Sequence, residues 1–167
     1  MSQEKPPNDT PSAWPLPDSF LIELGRVSAL WASLESLLNL CISKLAGFDV
    51  LKDPTPYILL VHSAFPQRLH MFGTLCEQLQ PHAPNLTDYK IVIAEIEAVQ
   101  KKRNRFVHNG IAHDPDTGKY LLSEGSARGK LRLSLSPVTP QDINAVSKDI
   151  QKAMQSLHHL VLATGPR

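Results

Sequence analysis

"DSFLIELGRVSALWASLESLLNLCISKLAG", residues 18 to 47, decides the fold. Phe20, Leu24, Val27, Trp31, Leu34, Leu38, Cys41 and Leu45 recur at alternating spacings of four and three. Side chains three and four apart share one face of an α-helix, so the run draws a single apolar stripe over about seven turns. Asp18 or Ser19 is expected as the N-cap, and Gly47 stops the helix. Glu35 flanks the stripe one turn from Trp31, where it is only partly exposed.

A stripe that long needs other helices to cover it. A second helical region begins near Thr55-Pro56, since proline suits the first helical position. "SAFPQRL" (63–69) interrupts it, because Pro66 lacks a backbone donor. A short helix, a break capped by Ser63 or Ala64, and a fresh helix through Phe72, Leu75 and Leu79 are expected. "QPHAPN" (80–85) is the next loop. A third helix runs from about Thr87 to Val107 or His108, with Asn109-Gly110 as its C-terminal cap. Its acids, Glu95 and Glu97, come early, and Lys101, Lys102, Arg103 and Arg105 come late, the order the helix dipole favours.

The period then changes. "DPDTGKYLL" (114–122) carries a turn signal, and "KLRLSLS" (130–136) alternates, with Leu131, Leu133 and Leu135 on one face. This reads as a β-hairpin over about 116–136, laid on the helices. "TPQD" (139–142) opens the last helix, with Thr139 as N-cap, Pro140 first and Asp142 as the capping-box acid. Ile143, Val146, Ile150, Met154, Leu157 and Val161 form its stripe. The expected fold is all-α: an up-and-down four-to-five-helix bundle with a β-hairpin insert before the last helix. Residues 18–163 make one domain. Residues 1–17, with five of the chain's 14 prolines, read as a flexible leader tacked on by Trp14, and 164–167 as a tail.

The 167 residues suit one core. Seventeen basic against sixteen acidic residues leave a formal charge of +1, so no global field points to nucleic acid or membrane and any basic surface is local. Cys41 and Cys76 lie inside apolar patterns and fit buried thiols in a reducing cytoplasm. No apolar run reaches membrane-spanning length and no secretory leader is legible, so a cytoplasmic protein is expected.

"KKRNRFVHNG" (101–110) is the oddity. On the four-three template Val92, Ile96 and Val99 lead to Arg103 and then Phe106, so an arginine takes a slot meant for Val or Leu. Buried guanidinium groups need partners, and Glu35 is the best-placed counter-charge. At about 100° per residue, Asn104 and His108 lie about 40° apart, but Arg103 and His108 about 140°. These two converge only if the last turn distorts, the arginine stem wraps around, or a second subunit completes the site.

"RNRFVH" resembles the Arg-Asn-x-x-x-His signature of the HEPN superfamily, and "LWASLESLLNLCI" (30–42) is similar to the Trp-x-x-Leu-Glu opening of its small bacterial members. The resemblance spans about residues 18 to 163. It implies a helical homodimer whose motifs meet at the interface, and metal-independent endoribonuclease activity without a cofactor. Arg103, Asn104 and His108 are the motif positions, with Glu35 in support. The residue types suit that chemistry. An imidazole moves protons near neutral pH, and a fixed guanidinium stabilises charge on a phosphate with forked hydrogen bonds. Asn104 orients the histidine or holds the phosphate. Lys101, Lys102 and Arg105, with Arg128, Lys130 and Arg132 on the hairpin, are candidates to follow an RNA backbone. The resemblance leaves toxin, phage-defence and housekeeping roles open, with an antitoxin among the candidate partners.

Blander readings compete. Lys101 and Lys102 serve as dipole partners, and the hairpin basics as a solvated face. An inactive HEPN-like dimerisation or nucleotide-binding module keeps everything but the chemistry. A metal site would draw on His62, His70, His82, His113, His158 or His159, but no metal-ligand spacing supports one. A plain interaction domain makes Arg103 an ion-pair partner of Glu35 and nothing more.

Overall fold

A computed structural model describes residues 16–49, 52–126 and 129–162. All but the last two leader residues, with Trp14, Arg128 and the 164–167 tail, lie outside the described residues. The chain is predominantly helical, with five α-helices, two 3-10 turns and a small antiparallel sheet among the described residues.

Helix α1 spans Asp18–Leu45 and buries Phe20, Val27, Trp31, Leu34, Leu38 and Cys41, the stripe read from its spacing. Its N-cap differs from expectation. Neither Asp18 nor Ser19 caps it; Pro17 stands at that position and its carbonyl accepts from Phe20 N–H. Asp18 sits in the first turn, where a carboxylate faces the positive helix end. Gly47, at φ +85, ends the helix in the left-handed region.

Helices α2 (Thr55–Leu60) and α3 (Phe65–Leu79) flank the expected break, and Ala64 is the N-cap of α3. Gln67 Oε1 accepts from Ala64 N–H at 3.0 Å, closing the first turn. The buried face of α3 is Phe65, Arg68, Leu69, Phe72 and Cys76. Leu75 and Leu79 are therefore rim rather than stripe. Two 3-10 turns, Gln80–His82 and Pro84–Asp88, lead to α4 (Tyr89–Val107), which buries Tyr89, Val92, Ile96, Val99 and Phe106.

The expected hairpin is two strands of a three-stranded sheet. Strands β1 (Gly110–His113), β2 (Tyr120–Ser126) and β3 (Arg132–Pro137) pair antiparallel in the order β1-β2-β3. β1 escaped the sequence reading because four residues starting with glycine show no period. The fate of the three leucines is a correction. Leu131, Leu133 and Leu135 do not lie on the helices; they are 66%, 73% and 66% exposed. Register parity is the cause. Leu122 is fully buried and pairs with Ser136, while Glu124 pairs with Ser134. Even-numbered residues of β3 therefore share the face of Leu122, with Ser136 half-buried there, and Leu133 and Leu135 take the opposite, outer face.

Helix α5 (Pro140–Leu162) begins as expected: Asp142 Oδ2 accepts from Thr139 N–H at 2.8 Å, and Asp142 N–H donates to Thr139 Oγ1 at 3.3 Å. It buries Ile143, Val146, Ile150, Ala153, Leu157 and Val161, with Ala153 in place of the half-buried Met154. Helix α5 packs on α1 and α4, and α3 covers another side of α1. No helix among the described residues is long and apolar enough to cross a membrane.

Cys41 and Cys76 are both free and fully buried. Burial pushes each thiol up to about 12 from an ordinary value of 9.0, with the Cys76 thiol adding to the rise at Cys41. A neutral, enclosed thiol is a poor nucleophile. Ellman's reagent at mildly alkaline pH should find neither thiol in the native protein and both after denaturation. The folded state holds these protons above pH 9.0, where the unfolded chain releases them. Their contribution to stability should be intact below pH 9 and lost as pH rises towards about 12, as urea titrations at a series of pH values would show.

Candidate functional site

The site forms where α4 ends against α1. His108 is the C-cap of α4 at φ −106 and ψ 0, outside the helical region, with its N–H still bonded to Asn104 O at 3.1 Å. The expected Asn-Gly cap is replaced by a side chain: Asn109 Nδ2 donates to Arg105 O at 2.8 Å, and Gly110 enters β1.

This terminal turn brings the motif together within one chain. An Arg103 guanidinium nitrogen lies 3.3 Å from His108 Nε2 and donates to Asn104 Oδ1 at 3.0 Å. The 140° gap of a straight helix is closed by the non-helical cap and the long arginine stem, with no second subunit. A guanidinium can only donate, so Nε2 accepts, and in this contact the neutral imidazole carries its proton on Nδ1.

Arg103 does not pair with Glu35, and that expectation is corrected. Its hydrogen-bond partners are neutral, and it forms no ion pair among the described residues. Its guanidinium carbon lies 5.5 Å from the centroid of the Trp31 ring, and its Nε is buried without a partner. Cation and indole hold each other electrostatically.

Glu35 holds the indole instead. Trp31 Nε1 donates to Glu35 Oε1 at 2.5 Å, and Phe65 tilts against Trp31 with ring centroids 4.6 Å apart. The other carboxylate oxygen of Glu35 accepts from Arg68 at 2.7 Å, while Arg68 also donates to Asn39 Oδ1 at 3.0 Å. Sequence reasoning missed Arg68 and Asn39. The signal for Arg68 was the one that exposed Arg103: it lies three residues after Phe65 and four before Phe72, inside an apolar stripe.

The remaining basic residues face elsewhere. Lys102 Nζ meets Asp149 Oδ2 at 2.6 Å. Arg105 meets Glu124 Oε2 at 3.0 Å and donates to Ser136 at 3.0 Å. Lys101 is exposed. Lys102 and Arg105 thus carry answered charges and line a cavity of about 300 Å³ with Phe106, Val138 and Asp142. An apolar cavity of about 650 Å³ lies between the end of α1, α2 and α3, lined by Ile42, Phe48, Leu59 and Met71. Neither of these two cavities is lined by Arg103 or His108. Among the described residues, no three His, Cys, Asp or Glu side chains converge to hold a metal ion.

No protein-family model, curated protein or solved structure matches this chain.

The two arginines should respond unequally to removal. Arg68→Met breaks the pair with Glu35 and should cost about 3 kcal/mol, the low end for a buried pair because the Glu35 side chain is 32% exposed. Arg103→Ala breaks no ion pair and should cost at most about 1 kcal/mol, the worth of its indole contact. Urea denaturation of both variants checks the order; a larger loss for Arg103→Ala would return that residue to a structural role.

Proposed function

We propose that this chain is a metal-independent endoribonuclease of HEPN type, cleaving RNA by attack of a 2′-hydroxyl on the adjacent phosphodiester. The observation that supports it is the state of Arg103. A half-buried cation that rests on an indole, donates to neutral partners and forms no ion pair among the described residues is a ready site for an anion. The nearest proton carrier is His108, 3.3 Å away. An RNA phosphate between them supplies the charge Arg103 lacks.

In this mechanism Arg103 turns its fork from His108 to two phosphate oxygens, which frees Nε2. Nε2 takes the proton of the 2′-hydroxyl as the 2′-oxygen bonds to phosphorus. The bond from phosphorus to the 5′-oxygen breaks, and that oxygen leaves with a proton from the imidazolium or from water. The products are a 2′,3′-cyclic phosphate and a 5′-hydroxyl. The charge on the equatorial oxygens peaks during attack, when the Arg103 hydrogen bonds are strongest. Asn104 keeps Arg103 in line through its amide oxygen. Glu35 acts at one remove by fixing the indole under Arg103.

In this reading the protein works in the cytoplasm as a homodimer of up-and-down helical bundles. An antitoxin would silence it by covering Arg103 and His108, as suits a toxin or phage-defence role. Lys101 is the motif-flanking basic residue best placed for RNA, since Lys102 and Arg105 are engaged by carboxylates.

The test is cleavage of RNA by purified protein in excess EDTA. Wild type should cut, leaving cyclic phosphate ends. His108→Ala, altered at an exposed position, should keep its melting temperature and lose about 100-fold or more in rate. Arg103→Ala should fall at least as far. Two equally silent, folded preparations would move the chain to the inactive-module reading, and equal cleavage by both would expose a contaminant.

A further inference from the structure

Strand β3 carries an apolar stripe and an open edge that no other element among the described residues covers. The sheet order leaves its outer edge without a strand neighbour among the described residues. On the outward face stand Leu133 and Leu135, both mostly exposed, and the equally exposed Leu131 directly precedes the strand. Beside them, register parity puts Leu121, Ser123 and Gly125 of β2 and Gly110 and Ala112 of β1 on the same face. That face carries no charge. Natural edge strands are normally blunted by charge, proline or a bulge; β3 has these only at its two ends, Arg132 and Pro137, which leaves residues 133–136 between them as a template for another strand.

We propose that β3 pairs antiparallel with β3 of a second copy about a two-fold axis through Leu133, joining two sheets into one of six strands. The strand is complementary to itself in that register. Leu133 meets the partner's Leu133, and Leu131 meets the partner's Leu135, so all six leucines land on one face. On the other face Arg132 meets the partner's Ser134. Ser134 pairs with Glu124 in β2. Each Arg132, which has no ion pair among the described residues, thus reaches over a small serine towards the partner's Glu124, about 10 Å away across two strand spacings. There it joins the 3.0 Å pair that Glu124 already makes with its own Arg105, so the carboxylate lies between two cations. Symmetry makes this contact twice.

Charge selects this register over its neighbour. Pairing centred on Ser134 would set Arg132 against the partner's Ser136, whose β2 neighbour is Leu122, leaving the guanidinium facing an apolar row. A foreign strand would satisfy the backbone edge equally well, but a second copy brings matching leucines and the carboxylate with it. This interface lies on a different face from Arg103 and His108 and takes the place of the motif-facing dimer that the HEPN resemblance implies. A dimer that survives Leu133→Lys would return the contact to the motif face, while ribonuclease activity is read separately.

Sedimentation of the full chain over a concentration series should show a monomer–dimer equilibrium. Arg132→Glu should weaken the dimer about tenfold, since two exposed ion pairs turn repulsive. Leu133→Lys, at an exposed edge position, should leave the helical circular dichroism unchanged and the protein monomeric. Leu133→Cys should cross-link to itself on oxidation, because the native Cys41 and Cys76 are buried. Leu131→Cys and Leu135→Cys should cross-link only when mixed. A wild type monomeric at every concentration overturns the proposal, as does a dimer that Leu133→Lys leaves intact. Cross-linking of Leu133→Cys with Leu135→Cys in place of itself would overturn the Leu133 axis.

Discussion

The indole of Trp31 is the point on which the two unusual features of this chain lean. Its ring face receives Arg103, its N–H is taken by Glu35, and Phe65 fixes its tilt. Glu35 in turn answers Arg68, a buried arginine on a third helix. Two guanidinium groups enter an otherwise apolar core by different solutions. One is neutralised by a carboxylate; the other is tolerated by an aromatic face and kept near neutral acceptors. Had Glu35 paired with Arg103, Arg68 would have been the uncompensated charge, and the motif histidine would sit beside a spent cation. The division of labour around Trp31 decides which arginine stays available to an anion.

Much of the helical frame was legible because burial on a helix writes a regular signature. Residues such as Val27, Leu34, Ile96 and Ile150 repeat at three and four, and their slots fix which face turns inward. Pro66 and the Thr139-to-Asp142 box mark boundaries for local chemical reasons. What escaped depends on contacts between elements. The alternation at Leu131, Leu133 and Leu135 reports a strand but not which side of it meets the helices. That choice belongs to Leu122, on a neighbouring strand, through the register of β2 with β3.

The candidate site was legible in its membership and not in its wiring. Arg103, Asn104 and His108 are in contact, and Arg103 could be singled out as a charge in an apolar slot. The partner assigned to Glu35 was wrong because proximity along a stripe cannot rank two competing cations, and Arg68 was never entered as a competitor. Of the three routes by which Arg103 and His108 could converge, the structure takes the distorted last turn and the wrapped arginine stem within one chain, a choice the spacing alone could not make.

Lys102 and Arg105 flank Arg103 and Asn104 on either side, and each is tied to a different neighbour, one to α5 and one to the sheet. The last turn of a helix is where fraying begins, since its carbonyls lose their partners. Here that turn is splinted from two directions, with Asn109 closing its end. The sheet therefore has a mechanical use whatever covers its outer face. Its inward serine and glutamate brace the helix tip, so that Arg103 and His108 start from one arrangement rather than many, and a ligand arriving there would meet a surface that has already given up its entropy.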